Sequence, residues 1–337
     1  MASDISQPPI LSCERMSCTI AAKPAPLQVL HDINFSVPRR TTLGIVGESG
    51  AGKSMLIKSI MGISPTPVRV EGRIVLDGID LSTLKPKARS QMIGRKVGIV
   101  FQNPMTSLNP YATIGRQIEE AGRFHLGLSR TQAQERAIEL LTVVGIADAK
   151  DCYGYFPHQF SGGMKQRIMI ATALMCHPDL LIADEATTAL DVTVQKEVLD
   201  LLQILQEERQ MSMILVSHNL GVVAGRTDNI LVLYGGHIVE TGPTAEVFRN
   251  PRHPYTGALL SAMPRMDQPA HARLHTIPGQ PPSLANQPKG CPFAPRCPSA
   301  QALCHEIMPP MTMDGDHHFA CHFPLNDTSA LREVSHG

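Results

Sequence analysis

One short stretch restricts this chain more than any other. Residues 42–54, TLGIVGESGAGKS, run from an apolar segment into a glycine-rich loop, and KSMLIKSIMG then continues with helical character. A buried strand, a tight loop and a helix in that order form the repeating unit of a parallel sheet. Parallel strands need crossover connections, and the crossing helices cover both sheet faces. The loop also fits G-x-x-x-x-G-K-[ST]. Its glycines let backbone N–H groups converge on phosphate oxygens, Lys53 would reach the β- and γ-phosphates, and the Ser54 hydroxyl would bind Mg²⁺. Gly47, Glu48, Ser49, Gly50, Ala51, Gly52, Lys53, Ser54 and Met55 are therefore the expected phosphate-side contacts of a nucleotide. A chance glycine-rich turn is the plain alternative, and the strand–loop–helix context speaks against it.

The rest of the first 245 residues fits such a sheet. GRIVLDGIDL (72–81) and NILVLYGGHIVETG read as hairpins around Asp-Gly and Gly-Gly, while KVGIVFQ (96–102), DLLIADE and MILVSH read as buried strands. From about 105 to 177 the pattern is helical, as in TQAQERAIELLTVVGI. In LLIADE (180–185) two carboxylates end a strand: Asp184 is placed to hold the Mg²⁺ shell and Glu185 to polarise an attacking water. By itself such a stretch is usually a strand entering a solvated loop. FSGGMKQRIMIATAL (160–174) starts a helix at Ser161, Gly162 and Gly163, which offers either an ordinary N-cap or a second anion site.

Totals set limits on partners and setting. The 337 residues carry 30 basic and 30 acidic side chains, no Trp and five Tyr, so neither a basic field nor stacking platforms invite nucleic acid. No secretory leader and no 18-residue apolar run is visible, which points to a cytoplasmic setting with reduced thiols. After about residue 246 the composition shifts, with 14 of the 27 prolines in that last part. Four cysteines lie there, Cys291, Cys297, Cys304 and Cys321, with 5, 6 and 16 residues between them. The spacing lacks the C-x₂-C pairs of a convincing zinc site and matches no ferredoxin pattern. On spacing alone, a metal site and small buried thiols stand equal. Cys13, Cys18, Cys152 and Cys176 are scattered and read as ordinary side chains.

The order of phosphate loop, Gln102, SGG helix, LLIADE, TALD (188–191) and His218 after MILVS resembles the ATP-binding cassette (ABC) ATPases over roughly residues 10–245. The resemblance implies an α/β fold: a P-loop domain with a RecA-like parallel sheet core, an antiparallel β subdomain and a helical subdomain at about 105–177. It also implies that two cassettes sandwich two ATP molecules head to tail, Ser161, Gly162 and Gly163 of one completing the other's site. Gln102 would then sense Mg²⁺ and the water and couple to a transmembrane partner. His218 would contact the γ-phosphate, and Asp191 would link the two sites. Phe160 and Met164 depart from the commonest signature, and Ala186 stands where proline is usual. No aromatic precedes Phe35, so Thr19 or Ile20 takes the place of the adenine-stacking ring, and GTP is expected to compete comparatively well.

NPRHPYTGALLSAMP (250–264), IPGQPPSL and GCPFAPRCPSAQALC…CHFPL resemble the C-terminal extension of the oligopeptide/dipeptide/nickel importer family, to about residue 325. This divides the chain at 1–245 and 246–337. It implies ATP hydrolysis that powers uptake of di- or oligopeptides, with nickel or a metal chelate as alternative cargo. The implied partners are a second, paralogous ABC subunit, two transmembrane permeases that meet NPMTSLNPYATIG (103–115), and an extracytoplasmic binding protein. The place is the cytoplasmic face of the bacterial inner membrane. The extension of that family carries the same cysteine quartet, for which a [4Fe–4S] cluster is the favoured occupant and Zn²⁺ the second. A soluble ABC ATPase of translation or repair would bring a second cassette or long coiled coils, and a regulatory cassette without turnover would not need Glu185, Lys53 and His218 together.

Overall fold

A computed structural model of the chain describes residues 7–23, 25–65, 67–187, 191–263, 276–283 and 286–326. The chain falls into two compact units, one formed by residues 1–12, 36–42 and 75–216, the other by 13–35, 43–74 and 217–337.

In the first unit three strands, Val97–Val100, Leu180–Asp184 and Ser212–Ser217, run parallel, with Val97 opposite Leu180 and Leu180 opposite Ser212. Every residue of the latter two is buried, as strands covered on both faces require. The region of helical periodicity becomes the helices Ile114–His125, Arg130–Val143 and Gly162–Ala173. Ser129 and Gln132 form a reciprocal capping box at the second of these, the local signal that starts it. The Asp-Gly hairpin is present: Val75 faces Asp80 across Asp77 and Gly78, both at positive φ (50° and 77°) as a primed turn demands. Lys96 joins Asp77 and Asp179 at 3.2 and 2.6 Å, and Arg39 pairs with Asp77. These paired cations hold the Asp77 carboxyl below the ordinary carboxylate range, Arg39 contributing most.

In the second unit Thr42–Val46 lies parallel to Asn229–Tyr234, Leu43 opposite Asn229. The Gly235–Gly236 turn sends the chain back as His237–Pro243, antiparallel to Asn229–Tyr234. Strands Leu27–Val37, Leu11–Ile20 and Val68–Leu76 lie side by side in that order in another sheet. The proline-rich extension contains the helix Pro254–Ser261. It also contains elements that the composition conceals: a five-residue helix, Ala302–Glu306, and two three-residue strands. One of these, His317–Phe319, pairs with His237–Pro243, Glu240 opposite Phe319.

Glu240 secures that pairing. Fully buried, its carboxylate accepts the N–H groups of Arg252 (2.6 Å) and His253 (3.0 Å) and lies 2.7 Å from His317 Nε2. Three partners satisfy a carboxylate that would otherwise be costly to bury. Among the described residues no helix is long and apolar enough to cross a membrane.

Candidate functional site

The phosphate loop lies in the second unit. The fully buried strand Thr42–Val46 delivers it, and helix Lys53–Met61 leaves it. Its curl depends on glycine. Gly52 caps the helix at φ 108°, and a Cβ on Gly47 would stand 2.2 Å from the Leu233 carbonyl oxygen. Lys53 is only 5% exposed, and its ammonium donates to the carbonyls of Gly47 (2.7 Å) and Glu48 (3.1 Å), so it bridges the loop. Ser49, Gly50 and Ser54 are exposed, Met55 is half-buried, and Ala51 is packed inside. The loop thus turns its small polar residues outward and anchors itself through its apolar one.

Two contacts on this loop escaped the sequence reading. The Glu48 N–H donates to Tyr255 Oη at 2.8 Å, and the Glu48 carboxylate accepts from Arg296 at 2.6 and 3.1 Å. Tyr255 belongs to RHPYT and Arg296 to the cysteine segment, more than 200 positions downstream, and no local signal announces such pairings. His218, exposed, follows the strand Ser212–Ser217, and the next residue, Asn219, turns the chain by capping Leu220–Val223.

The carboxylates lie in the first unit. Asp184 ends its buried strand and is itself 7% exposed. Glu185 follows at φ 47°, in left-handed backbone that costs a non-glycine residue about 1–3 kcal/mol. Its N–H donates to the Val216 carbonyl at 3.1 Å, so the neighbouring strand holds the kink. Gln102, 83 positions away, donates from Nε2 to Glu185 Oε2 at 2.7 Å. Two residues given separate roles in the sequence analysis are thus hydrogen-bonded to each other. The kink aims the carboxylate off the strand axis and the amide fixes its rotamer, the preparation that a water-orienting base needs.

Ser161 caps helix Gly162–Ala173, its Oγ accepting from Met164 N–H at 3.3 Å, while Ser161 and Gly162 are exposed. Gly163 serves packing as well: a Cβ there would stand 2.8 Å from Val194 Cγ1. Asp191 caps helix Val192–Glu208 through that same Val194, accepting its N–H at 3.0 Å. The start of the SGG helix and the turn after LLIADE are thus joined within one chain. Residues 188–190 of TALD lie outside the described residues. Phe160 is buried, Met164 half-buried and Ala186 buried, and Thr19 and Ile20 are half-buried at a strand end.

Cys291, Cys297, Cys304 and Cys321 line one small cavity, together with His253 and Phe293. Gly290 permits this, since a Cβ there would meet the Cys304 carbonyl at 2.3 Å, the carbonyl that accepts the Cys291 N–H at 2.8 Å. Burial pushes the thiols of Cys291, Cys297 and Cys321 up, the last to about 12, and neighbouring cysteines push the same way. Backbone N–H groups of Phe293 and Ala294 at Cys291, of Ser299 at Cys297 and of Phe323 at Cys321 act in the opposite direction. His253, 1% exposed, accepts the Tyr255 N–H at Nδ1 (3.0 Å), so Nε2 carries the ring proton. That buried Nε2 has no hydrogen-bond partner among the described residues. Four thiols, N–H donors aimed at them and an orphaned N–H on the cavity wall fit an occupant that accepts hydrogen bonds and carries positive metal charge. Even so, no group of three or more His, Cys, Asp or Glu among the described residues is arranged to hold a metal ion. Ligand geometry therefore lends no support to the expected [4Fe–4S] cluster.

Against known proteins, the family profile described as ABC transporter matches residues 30–188, and the one described as Oligopeptide/dipeptide transporter, C-terminal region, matches 239–304. The cassette MJ0796, in a dimeric post-hydrolysis state bound to ADP and Pi, superposes with a TM-score of 0.62 at 26% identity, over 69% of this chain and 98% of that one. The cassette cbiO1 of Clostridium perfringens, part of the cbiONQ transporter complex, gives a TM-score of 0.62 at 28% identity, over 72% of this chain and 92% of that one. The chain belongs to the ABC ATPases, with the P-loop α/β fold and ATP-hydrolysing chemistry of that class. Its relatives lie among importers. A putative peptide import ATP-binding protein of Brucella abortus is 47% identical, over 93% of this chain and 96% of the relative. The dipeptide transport ATP-binding protein DppD of Escherichia coli is 43% identical over 94% and 98%. The oligopeptide transport ATP-binding protein OppD of Salmonella typhimurium is 42% identical over 94% and 95%.

Proposed function

We propose that this chain is the ATP-hydrolysing subunit of an importer of di- or oligopeptides. The backbone of Gly47–Met55 and the Lys53 ammonium would bind the phosphates, while Ser54, Asp184 and Gln102 would hold Mg²⁺, whose charge offsets that of the phosphate oxygens. Glu185 would orient the water and His218 would meet the γ-phosphate. The observation that carries this is the 2.7 Å bond from Gln102 to a Glu185 held at positive φ, which supports the reading of a strained and oriented carboxylate. Ser161, Gly162 and Gly163 would serve the nucleotide of a second cassette, with Asp191 coupling the two.

The cargo reading rests on the three relatives described above, which are peptide, dipeptide and oligopeptide transport proteins. The partners are a second, paralogous cassette, two transmembrane permeases docking near 103–115, and an extracytoplasmic binding protein. The chain then sits peripherally on the cytoplasmic face of the inner membrane, its cassette in 1–245 and its extension in 246–337. The test is reconstitution with candidate permeases and a panel of ligand-loaded binding proteins. Stimulation of ATP hydrolysis by a peptide-loaded protein is expected, and stimulation by a nickel-loaded protein alone would overturn the cargo reading.

In the extension, Cys291, Cys297, Cys304 and Cys321 would hold a [4Fe–4S] cluster with a structural role, with Zn²⁺ as the second choice. Such a group would fill an irregular segment that has little apolar bulk of its own. His253 would donate from Nε2 toward it, as N–H groups around metal thiolates commonly do. Anaerobically purified chain should be brown, with iron and sulfide in near-equal amounts; colourless, iron-free chain would overturn this.

A further inference from the structure

The Arg296 side chain is 4% exposed, and all five of its N–H groups have an acceptor. Nε donates to the Pro278 carbonyl at 2.8 Å. One Nη1 hydrogen goes to Glu48 Oε2 at 2.6 Å and the other to Tyr234 Oη at 3.1 Å. Nη2 serves Glu48 Oε1 at 3.1 Å and the Ile277 carbonyl at 3.3 Å. The result is a two-pronged guanidinium–carboxylate pair, the strong form of an ion pair, seated beside the rings of Tyr234 and Phe293.

Glu48 puts a carboxylate into that loop. The loop's task is to attract several negative charges, and a carboxylate at its second position opposes them unless neutralised. Arg296 neutralises it, and Tyr255 Oη, accepting the Glu48 N–H at 2.8 Å, fixes the same residue from the backbone side. The rings of Tyr234, Tyr255 and Phe293 stand 4.4 to 5.3 Å apart, so both holds rise from one aromatic cluster. Arg296 immediately precedes Cys297, and Phe293 lies on the wall of the four-cysteine cavity.

We propose that Arg296 is a positioning residue of the ATP site: it supplies the counter-charge to Glu48 and thereby sets the nucleotide affinity of the phosphate loop. The proposal rests on the reading of residues 47–54 as that loop. It makes the cysteine-bearing extension part of the nucleotide machinery, because the segment that carries the thiols also carries the charge.

The test uses the full chain, a fluorescent ATP analogue for affinity, and KM and kcat for hydrolysis. Arg296→Met is expected to weaken ATP binding about tenfold and raise KM with kcat kept at saturating ATP, the effect of one uncompensated charge near the phosphates. Glu48→Gln combined with Arg296→Met should return affinity to within about threefold of the parent, since the charge needing neutralisation is gone. A merely structural staple would lower the melting temperature of both chains and show no such recovery. Unchanged affinity in Arg296→Met, or no recovery in the double variant, overturns the proposal. If Arg296→Met does not fold, Glu48→Gln alone decides: binding no weaker than the parent's is expected, and weaker binding overturns it. Lys53→Ala separates the two layers. If that chain binds ATP like the parent, the phosphate-loop reading has failed and not the link through Arg296.

Discussion

The phosphate loop and the cysteine segment perform similar tasks by opposite means. Each gathers polar groups into one place. At the loop, regular elements do the work: a buried strand and a helix fix both ends, glycines set the curl, and backbone groups form the cradle. At the cysteine segment regular structure is sparse, and four side chains, a few N–H groups and a buried His line the cavity instead. A site built from backbone should tolerate changes of its chemical groups without loss of the fold. A site built from side chains should lose its fold together with its ligands.

The largest expected effect tests the first half of that contrast. Glu185→Gln should lower ATP turnover at least about 100-fold while nucleotide affinity and melting temperature stay near the parent's, as removal of a positioned base predicts. A parallel fall in melting temperature would show that the carboxylate is also a structural part. On the other side, Glu240→Ala leaves two buried N–H groups and His317 without their acceptor, and should cost about 3 kcal/mol of stability with turnover at saturating ATP retained. Denaturant unfolding followed beside ATPase assays distinguishes these outcomes. Cys304→Ser should lower the melting temperature by several degrees and, if the Arg296 link holds, raise KM; a lowered melting temperature with KM unchanged would confine the segment to a structural role.

Smaller effects refine the comparison. Ser161→Ala removes an N-cap worth about 1 kcal/mol, and the test is whether turnover falls by more than that helix loss explains. GTP should compete within about tenfold of ATP, because weak stacking leaves little energy to discriminate the bases. A large ATP preference in competition assays would show that another contact reads the adenine.

Much of this was legible because the motifs are local. The run TLGIVGESGAGKS becomes strand, loop and helix, and the Asp-Gly and Gly-Gly hairpins appear where glycine and aspartate supply positive φ. The candidacy of Gln102 and Glu185 was legible through motif order, but their hydrogen bond was not, since nothing local links positions 83 apart. The holds of Arg296 and Tyr255 on Glu48 were not legible at all. An arginine among prolines and a tyrosine after a proline look like surface residues until the fold buries them. The short strand His317–Phe319 was hidden for a related reason: three residues carry no periodicity, and its place is set by the neighbour it pairs with.

Glu185 carries one more consequence. Glycine would adopt its backbone conformation without the steric cost that a side chain brings, so a Glu185→Gly chain should melt slightly higher than its parent while being unable to turn over ATP. At this single position, selection for durability and selection for work pull in opposite directions. A cassette relieved of its catalytic duty would be free to drift toward the easier residue.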